Sequence, residues 1–350
     1  MFANASAALN FLESLQRRTA VAAARLGVLL GLTLAAFSAA AAPAPHPIFV
    51  LNSLDADISV IDPVSFAELR RIPTGKEPHH LYLTPDEKSL LVANALGNSL
   101  TFIDPATGAV QRVLDQILDP YQLRFSPDMK WFVTAANRLN HVDIYRWQPD
   151  NAKQPFALVK RLDAPRTPSH LFIDSKSTVV YASLQDSDEL LAIDLATQTP
   201  RWKIKTGKLP ADIFLADDDK TLFVGLTGDR FVEVYEVGPT GAKRIDRIPT
   251  GDGAHAFRAR GDGRHLFVSN RVANTISEID MRTRQVVAEL PGPGGPDCME
   301  VTADGKTLLV SSRWIRKLSV VDIASRKLVR QIDVGHSPHG VWTLDHAPRR

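Results

Sequence analysis

The chain has 350 residues, 44% hydrophobic and 23% charged, with a formal net charge of +2. That balance supplies enough apolar residues for a sizeable core and excludes an extended disordered chain. A single cysteine, Cys298, excludes an internal disulfide and any zinc or iron–sulfur site built from cysteines.

Residues 1–44 differ from the rest. Arg17, Arg18 and Arg25 precede an apolar run, Leu26–Phe37, which passes into Ser38 and a string of alanines. This basic, apolar, small-residue order is that of a secretory signal peptide, with cleavage expected between Ala39 and Ala44. The apolar run is too short for a comfortable membrane span. The expectation is a periplasmic or secreted monomer, with residues 45–350 as one domain and no membrane span in the mature form. Three of the basic residues and one acidic residue lie in residues 1–41, which leaves 38 of each sign. A mature charge near zero argues against general nucleic-acid binding.

From Ile48 onward the chain repeats. Apolar strand starts recur near Ile48, Leu90, Phe132, Val180, Leu222, Leu266 and Leu308, mostly 42 residues apart. Self-similarity at this period predicts a propeller, a solenoid or an array. Each unit reads as strands separated by polar turns: a run such as LLVAN, a second run ending in an acid such as LTFID, an Arg-rich outer strand such as RKLVRQI, and a fourth strand such as HHLYLT. No helical period is sustained after the leader. Four strands in each of seven units are too many for one flat sheet, whereas radial blades protect their edges.

The chain also predicts its own closure. It begins with a unit's first run, Ile48–Asn52, and ends with the fourth-strand type, His339–Leu344. The last strand is expected to complete the first blade. In the third unit Arg146 replaces the usual acid and an insert spans Gln148–Pro155, so that blade is expected to protrude or bend. The recurring Asp62, Asp104, Asp194, Asp280 and Asp322 read as turn-bonding residues, not catalytic ones, and Asn52, Asn94, Asn137 and Asn270 as turn caps. The tryptophans read as blade packing.

The stretches VANALGNSLTFIDPATGAV, LFVSNRVANTISEIDMRTRQVV and IPTGKEPHHLYLTPDEKSLLVAN resemble the YVTN-type β-propeller repeat family, over about residues 47–344. The resemblance implies an all-β fold, a seven-bladed propeller of four-stranded blades. The family is functionally mixed, so it implies little about activity.

In a propeller the innermost strand lines the central channel, and ligands usually bind at the turn leading into it. Here the two residues after that strand's usual proline are His79-His80, Tyr121-Gln122, Ser169-His170, Ala211-Asp212, His255-Ala256, Asp297-Cys298 and His339-Gly340, with Ala254 replacing proline once. These 14 positions hold five of the ten histidines. The expected ligand site at the channel mouth is therefore His79, His80, Tyr121, His170, Asp212, His255, Asp297 and His339. Converging imidazoles suit a transition metal, with His79, His170, His255 and His339 as candidate ligands, or a haem-like tetrapyrrole held by axial histidine. Adjacent strand residues point to opposite faces, so only one of His79 and His80 is expected to face the channel. Cys298 reads as a buried, inert thiol, with a metal ligand or a reactive thiol as the alternatives.

No G-x-S-x-G, H-E-x-x-H or Walker motif is present. The leading reading is an exported binding or scaffold protein with a small molecule or protein at the channel mouth. The alternatives are a metal- or tetrapyrrole-binding propeller, similar in general fold to d1-haem proteins, and a propeller hydrolase such as a lactonase.

Overall fold

The structure, a computed structural model, describes residues 45–349. The leader expected from the sequence lies outside the described residues.

Residues 45–349 build 28 strands in seven four-stranded antiparallel sheets. Six sheets use four consecutive strands. The seventh orders Pro338–Thr343, Ile48–Asn52, Asp57–Ile61 and Glu68–Pro73, so the last strand enters the first blade as expected. Its register pairs Ile48 with Thr343 and Phe49 with Trp342. The inner strands are Pro78–Leu83, Pro120–Phe125, Pro168–Ile173, Pro210–Leu215, Ala254–Ala259, Pro296–Val301 and Pro338–Thr343. Each packs against the next, and the last against the first, which closes the ring. Among the described residues the only helical element is a 3-10 turn, Gln185–Ser187, and no helix is long and apolar enough to cross a membrane.

Burial explains the local sequence. A strand with a blade packed on each face must be apolar on both. Ile48–Asn52 and Leu90–Asn94 are buried at every position. The outermost strands face solvent, and Glu68–Pro73 and Lys327–Asp333 each bury one residue. The core therefore lies between blades. In one such layer Phe49, Leu51, Ile58 and Val60 of the first blade meet Leu81, Leu90, Val92 and Ile103 of the second.

The acids that close the second run are turn residues. Asp62 accepts the backbone N–H of Val64 and Ser65, Asp104 those of Ala106 and Thr107, and Asp194, Asp280 and Asp322 accept equivalent bonds. Asn52, Asn94 and Asn270 donate to hydroxyls on the neighbouring strand, at Ser59, Thr101 and Ser277. Asn137 does not share that position. In its blade Ala136 pairs with His141, where Asn94 pairs with Ser99, so Asn137 falls one residue late, in the turn. The insert Gln148–Pro155 closes an outer hairpin, with Gln148 N–H donating to Pro155 O. It lengthens two outer strands to His141–Trp147 and Phe156–Asp163. The blade is extended at its edge and keeps its pairing.

Four tryptophans pack within the blades, but Trp314 is 56% exposed. It lies over Gly295, whose φ of +70° and closeness to the indole leave no room for a side chain. Gly294, with φ of +78°, is crowded in the same way by Ile315. At the opposite end of the axis, residues Asp345–Arg349 form a strap. Ala347 N–H donates to Val301 O, and buried Arg258 donates to the carbonyls of Ala347 and Pro348.

Trp342 is 1% exposed and stacks on Phe49 with centroids 6.1 Å apart, across the seam that joins the two ends of the chain. Trp342→Ala is expected to cost about 3–5 kcal/mol, as for a large core aromatic, and deletion of residues 335–350 to destabilise the whole ring. Thermal unfolding followed by circular dichroism checks both; an unchanged melting temperature in the truncated chain would contradict ring closure.

Candidate functional site on the propeller axis

All seven inner strands share one irregularity. Between the proline (or Ala254) and the second or third residue after it, the register against the neighbouring strand slips by one. This is a β-bulge, which adds one residue to a strand and re-aims the side chains there. The bulge falls on the histidine-rich pairs.

One expectation is corrected as a result. His79 and His80 do not diverge as strict alternation requires. Their Nδ1 atoms lie 3.1 Å apart and their rings touch, because the bulge breaks the alternation between them. Only His80, however, lines the axial cavity.

The expected residues divide into two groups. His79, Tyr121, His255, Asp297 and His339 form a plug at the end where the inner strands begin. His79 stacks between Tyr121 and His339, with centroids 4.0 and 3.6 Å away. His79, His255, His339 and Asp297 are at most 2% exposed, so this mouth is sealed. The second group, His80, His170 and Asp212, lines a cavity of about 270 Å³ beyond the plug, together with Gln122 and Cys298. The cavity continues along the axis past Tyr82, Phe172, Phe214 and Phe257 towards Pro127 and Arg349. The ligand-sized space therefore begins where a mouth was expected and extends the other way.

Hydrogen bonds fix several rings. His339 Nδ1 lies 2.7 Å from the carbonyl of His79, and His80 Nδ1 lies 2.7 Å from that of Tyr121. A carbonyl only accepts, so both Nδ1 atoms carry the proton. His170 Nδ1 meets Ser169 Oγ at 2.8 Å, and His255 Nδ1 meets Thr227 Oγ1 at 3.2 Å. Burial holds the histidines neutral. It lowers His80 and His255 to about 4, the latter with help from Arg271, and places His79, His170 and His339 well below the usual histidine range.

The two acids behave oppositely. Burial raises Asp212 to about 6 even though its carboxylate accepts the N–H of Ile213 and Phe257. Burial also opposes ionisation of Asp297, but the Arg271 charge outweighs it and holds the group well below the usual carboxylate range. Arg271 Nη2 and Arg313 Nη1 lie 2.7 and 3.1 Å from Asp297 Oδ2. Sequence reasoning missed these two arginines. They occupy the turn after the second strand of their blades, in RVANT and RWIRK, where nothing in a single repeat marks an axial role.

Arg124 was also missed. Its guanidinium packs 4.9 Å from the Tyr82 ring and 5.1 Å from that of Phe172, and its Nε donates to Leu171 O. Two positions along from the bulge, it projects into the channel by ordinary alternation. Cys298 lines the cavity with its thiol 3.5 Å from His339 Nδ1, and burial and Asp297 push it well above the usual thiol range, which disfavours the thiolate.

Among the described residues two donor groups place three ligand atoms within 4.8 Å of one another: His79, His80 and His339, and His255, Asp297 and His339. His170, expected among the metal ligands, is in neither. Its ring meets His80 and His255 edge-on at 5.4 and 5.6 Å. His79 and His339 lie ring against ring outside the cavity, whereas His80 and His170 line it.

The fold and this axis define a seven-bladed propeller with one end sealed by polar side chains. A sequence model of the YNCE-like β-propeller family matches residues 16–349, and the chain belongs to that family. No match was found among curated protein sequences. Solved structures with the same fold include a functionally unknown protein from Desulfotomaculum acetoxidans, with 16% identity, a TM-score of 0.72, and coverage of 87% of this chain and 100% of that one. The periplasmic gluconolactonase PpgL of Pseudomonas aeruginosa is 19% identical, with a TM-score of 0.71 and coverage of 87% and 99%. The dihydro-haem d1 dehydrogenase NirN is 17% identical, with a TM-score of 0.61 and coverage of 86% and 76%. At these identities the likeness shows the fold.

The buried histidines give stability a pH dependence. Their folded pKa values are depressed, so their contribution is complete above the unfolded value of about 6.5 and is lost as pH falls through the folded value of about 4. Melting temperature is expected to fall steadily from pH 6.5 to 4. His80→Gln should flatten part of that slope; an invariant melting temperature across the window would contradict neutral burial.

Proposed function

We propose that this chain is an exported binding protein that takes a small organic acid into its axial cavity. The observation that carries the reading is the make-up of that cavity: polar groups from His80, Gln122, His170 and Asp212 at one end, aromatic walls from Tyr82, Phe172, Phe214 and Phe257, and the Arg124 cation between two rings. Aromatic walls favour a ring or apolar body, and a few fixed polar groups set its orientation. A guanidinium in a confined, partly desolvated wall favours a carboxylate on the ligand. At about 270 Å³ the space suits a small molecule. Export rests on the basic, apolar and small-residue order of residues 17–44.

Isothermal titration with benzoate tests the reading. Saturable binding is expected, weakened at least tenfold in Arg124→Gln and in Phe172→Ala. Binding that ignores both substitutions, or no binding of benzoate or of any organic acid extracted from the purified protein, would remove it.

A second reading, a hydrolase of the lactonase type, is favoured by Asp212. An acid held near pH 6 in a cavity shared with two neutral histidines is suited to general-base work near neutrality. The fold likeness to a periplasmic gluconolactonase is consistent with it. Gluconolactone hydrolysis followed by pH-stat should then be lost in Asp212→Asn, by at least a hundredfold; no turnover above the uncatalysed rate in the unmodified protein would dismiss this reading.

A further inference from the structure

The plug that seals the axis contains an arrangement that ligand binding in the cavity does not use. His255 Nε2 lies 3.1 Å and His339 Nε2 3.5 Å from the same oxygen, Asp297 Oδ1. All three atoms are fully buried, yet none makes a hydrogen bond of acceptable geometry among the described residues. Buried polar atoms without partners are uncommon, and three at one point ask for an explanation.

The other atoms of these groups are all engaged. His339 Nδ1–H donates to His79 O, which leaves Nε2 with a lone pair. His255 Nδ1 meets Thr227 Oγ1. Asp297 Oδ2 is taken by Arg271 and Arg313. Each group is thus oriented through its far atom and presents its near atom to a common point. Outer partners hold metal ligands in this way, and a backbone carbonyl on the far nitrogen of a histidine is a usual form.

The spacing agrees. Four ligands placed tetrahedrally at the usual zinc–nitrogen and zinc–oxygen lengths lie roughly 3.3 Å from one another. The two measured separations, 3.1 and 3.5 Å, bracket that value. The alternative group, His79, His80 and His339, fits worse. His79 and His339 lie ring against ring, tilted by 33° with centroids only 3.6 Å apart, closer than two imidazoles bound to one tetrahedral ion. His80 Nδ1 is already bound to Tyr121 O.

We propose that His255, Asp297 and His339 form a binding site for a divalent transition-metal ion, with zinc the best match to two imidazoles and a carboxylate. Three protein ligands leave a fourth position open, as in zinc sites that bind an exchangeable ligand. The arginines act in two directions. They anchor the carboxylate and keep it ionised, but two guanidinium charges beside one carboxylate oppose a further cation. The ion is therefore exchangeable, unlike that of a zinc finger, and an anion is its natural fourth ligand. Access is from the rim, where the Arg271 and Arg313 side chains are 19% and 26% exposed.

The test uses the full folded domain, stripped with EDTA and dialysed. Titration with zinc chloride should give one ion per chain. Cobalt(II) should give the strong visible absorption of a tetrahedral centre. His255→Ala should lower zinc affinity at least tenfold while its melting temperature shows that it folds. His265→Ala and His336→Ala serve as controls, because each histidine pairs with a surface acid, Asp262 or Asp55, that offers a rival site. Their binding should match that of the unmodified protein. If His255→Ala does not fold, the cobalt spectrum of the unmodified protein decides: weak octahedral absorption overturns the proposal. So do no uptake of either ion, unchanged binding in His255→Ala, or loss of binding in a surface variant.

Discussion

The antiparallel pairing of Ile48–Asn52 with Pro338–Thr343 is the contact on which everything else rests. Without it the array is an open arc with two exposed ends, each presenting unpaired backbone groups. With it, seven inner strands are forced around one axis. Side chains more than 250 residues apart then come within van der Waals contact, as His79 and His339 do. The axial cluster is a consequence of ring closure, since no local stretch of chain could assemble it.

Within that ring, the bulge after each proline determines what meets on the axis. Regular strands would send alternate side chains back between the blades. A repeated one-residue slip lets successive residues of one strand both reach the axis, as His79 does in the plug and His80 in the cavity. The result is crowded, and the energetics follow from crowding. Imidazoles removed from water lose their charged form, one carboxylate keeps its charge because two guanidiniums flank it, and another, Asp212, is held less firmly. The axis is therefore electrically graded, from an arginine-bound acid at the sealed end to an acid that titrates near neutrality in the cavity.

The fold was legible because each blade states it again. Strand runs, turn acids and the missing fourth strand of the first blade all read directly from periodicity, and every one of Asp62, Asp104, Asp194, Asp280 and Asp322 bonds its turn. The histidine cluster was legible too, because symmetry carries equivalent positions to one place. Three things were not. A bulge leaves no mark in a two-residue pattern, so the shared environment of His79 and His80 was hidden. Arg271, Arg313 and Arg124 enter the site from positions whose counterparts in other blades are Ala95, Thr227 or Phe214, and a repeat does not announce its exceptions. Which end of a channel is open depends on side-chain volume summed over seven blades, and no single unit contains that sum.

The strap at Asp345–Arg349 carries a practical consequence. It is held down by Arg258 and by the ion pair between Arg349 and Glu300, and it brings Arg349 to the wall of the cavity, opposite the plug. Because the far end is sealed, whatever enters or leaves the cavity passes this segment. A label joined at this end of the domain therefore starts beside that passage. His46, near the other end of the described residues, bonds Asp345 of the same strap, so a label joined at either end of the domain starts beside this passage.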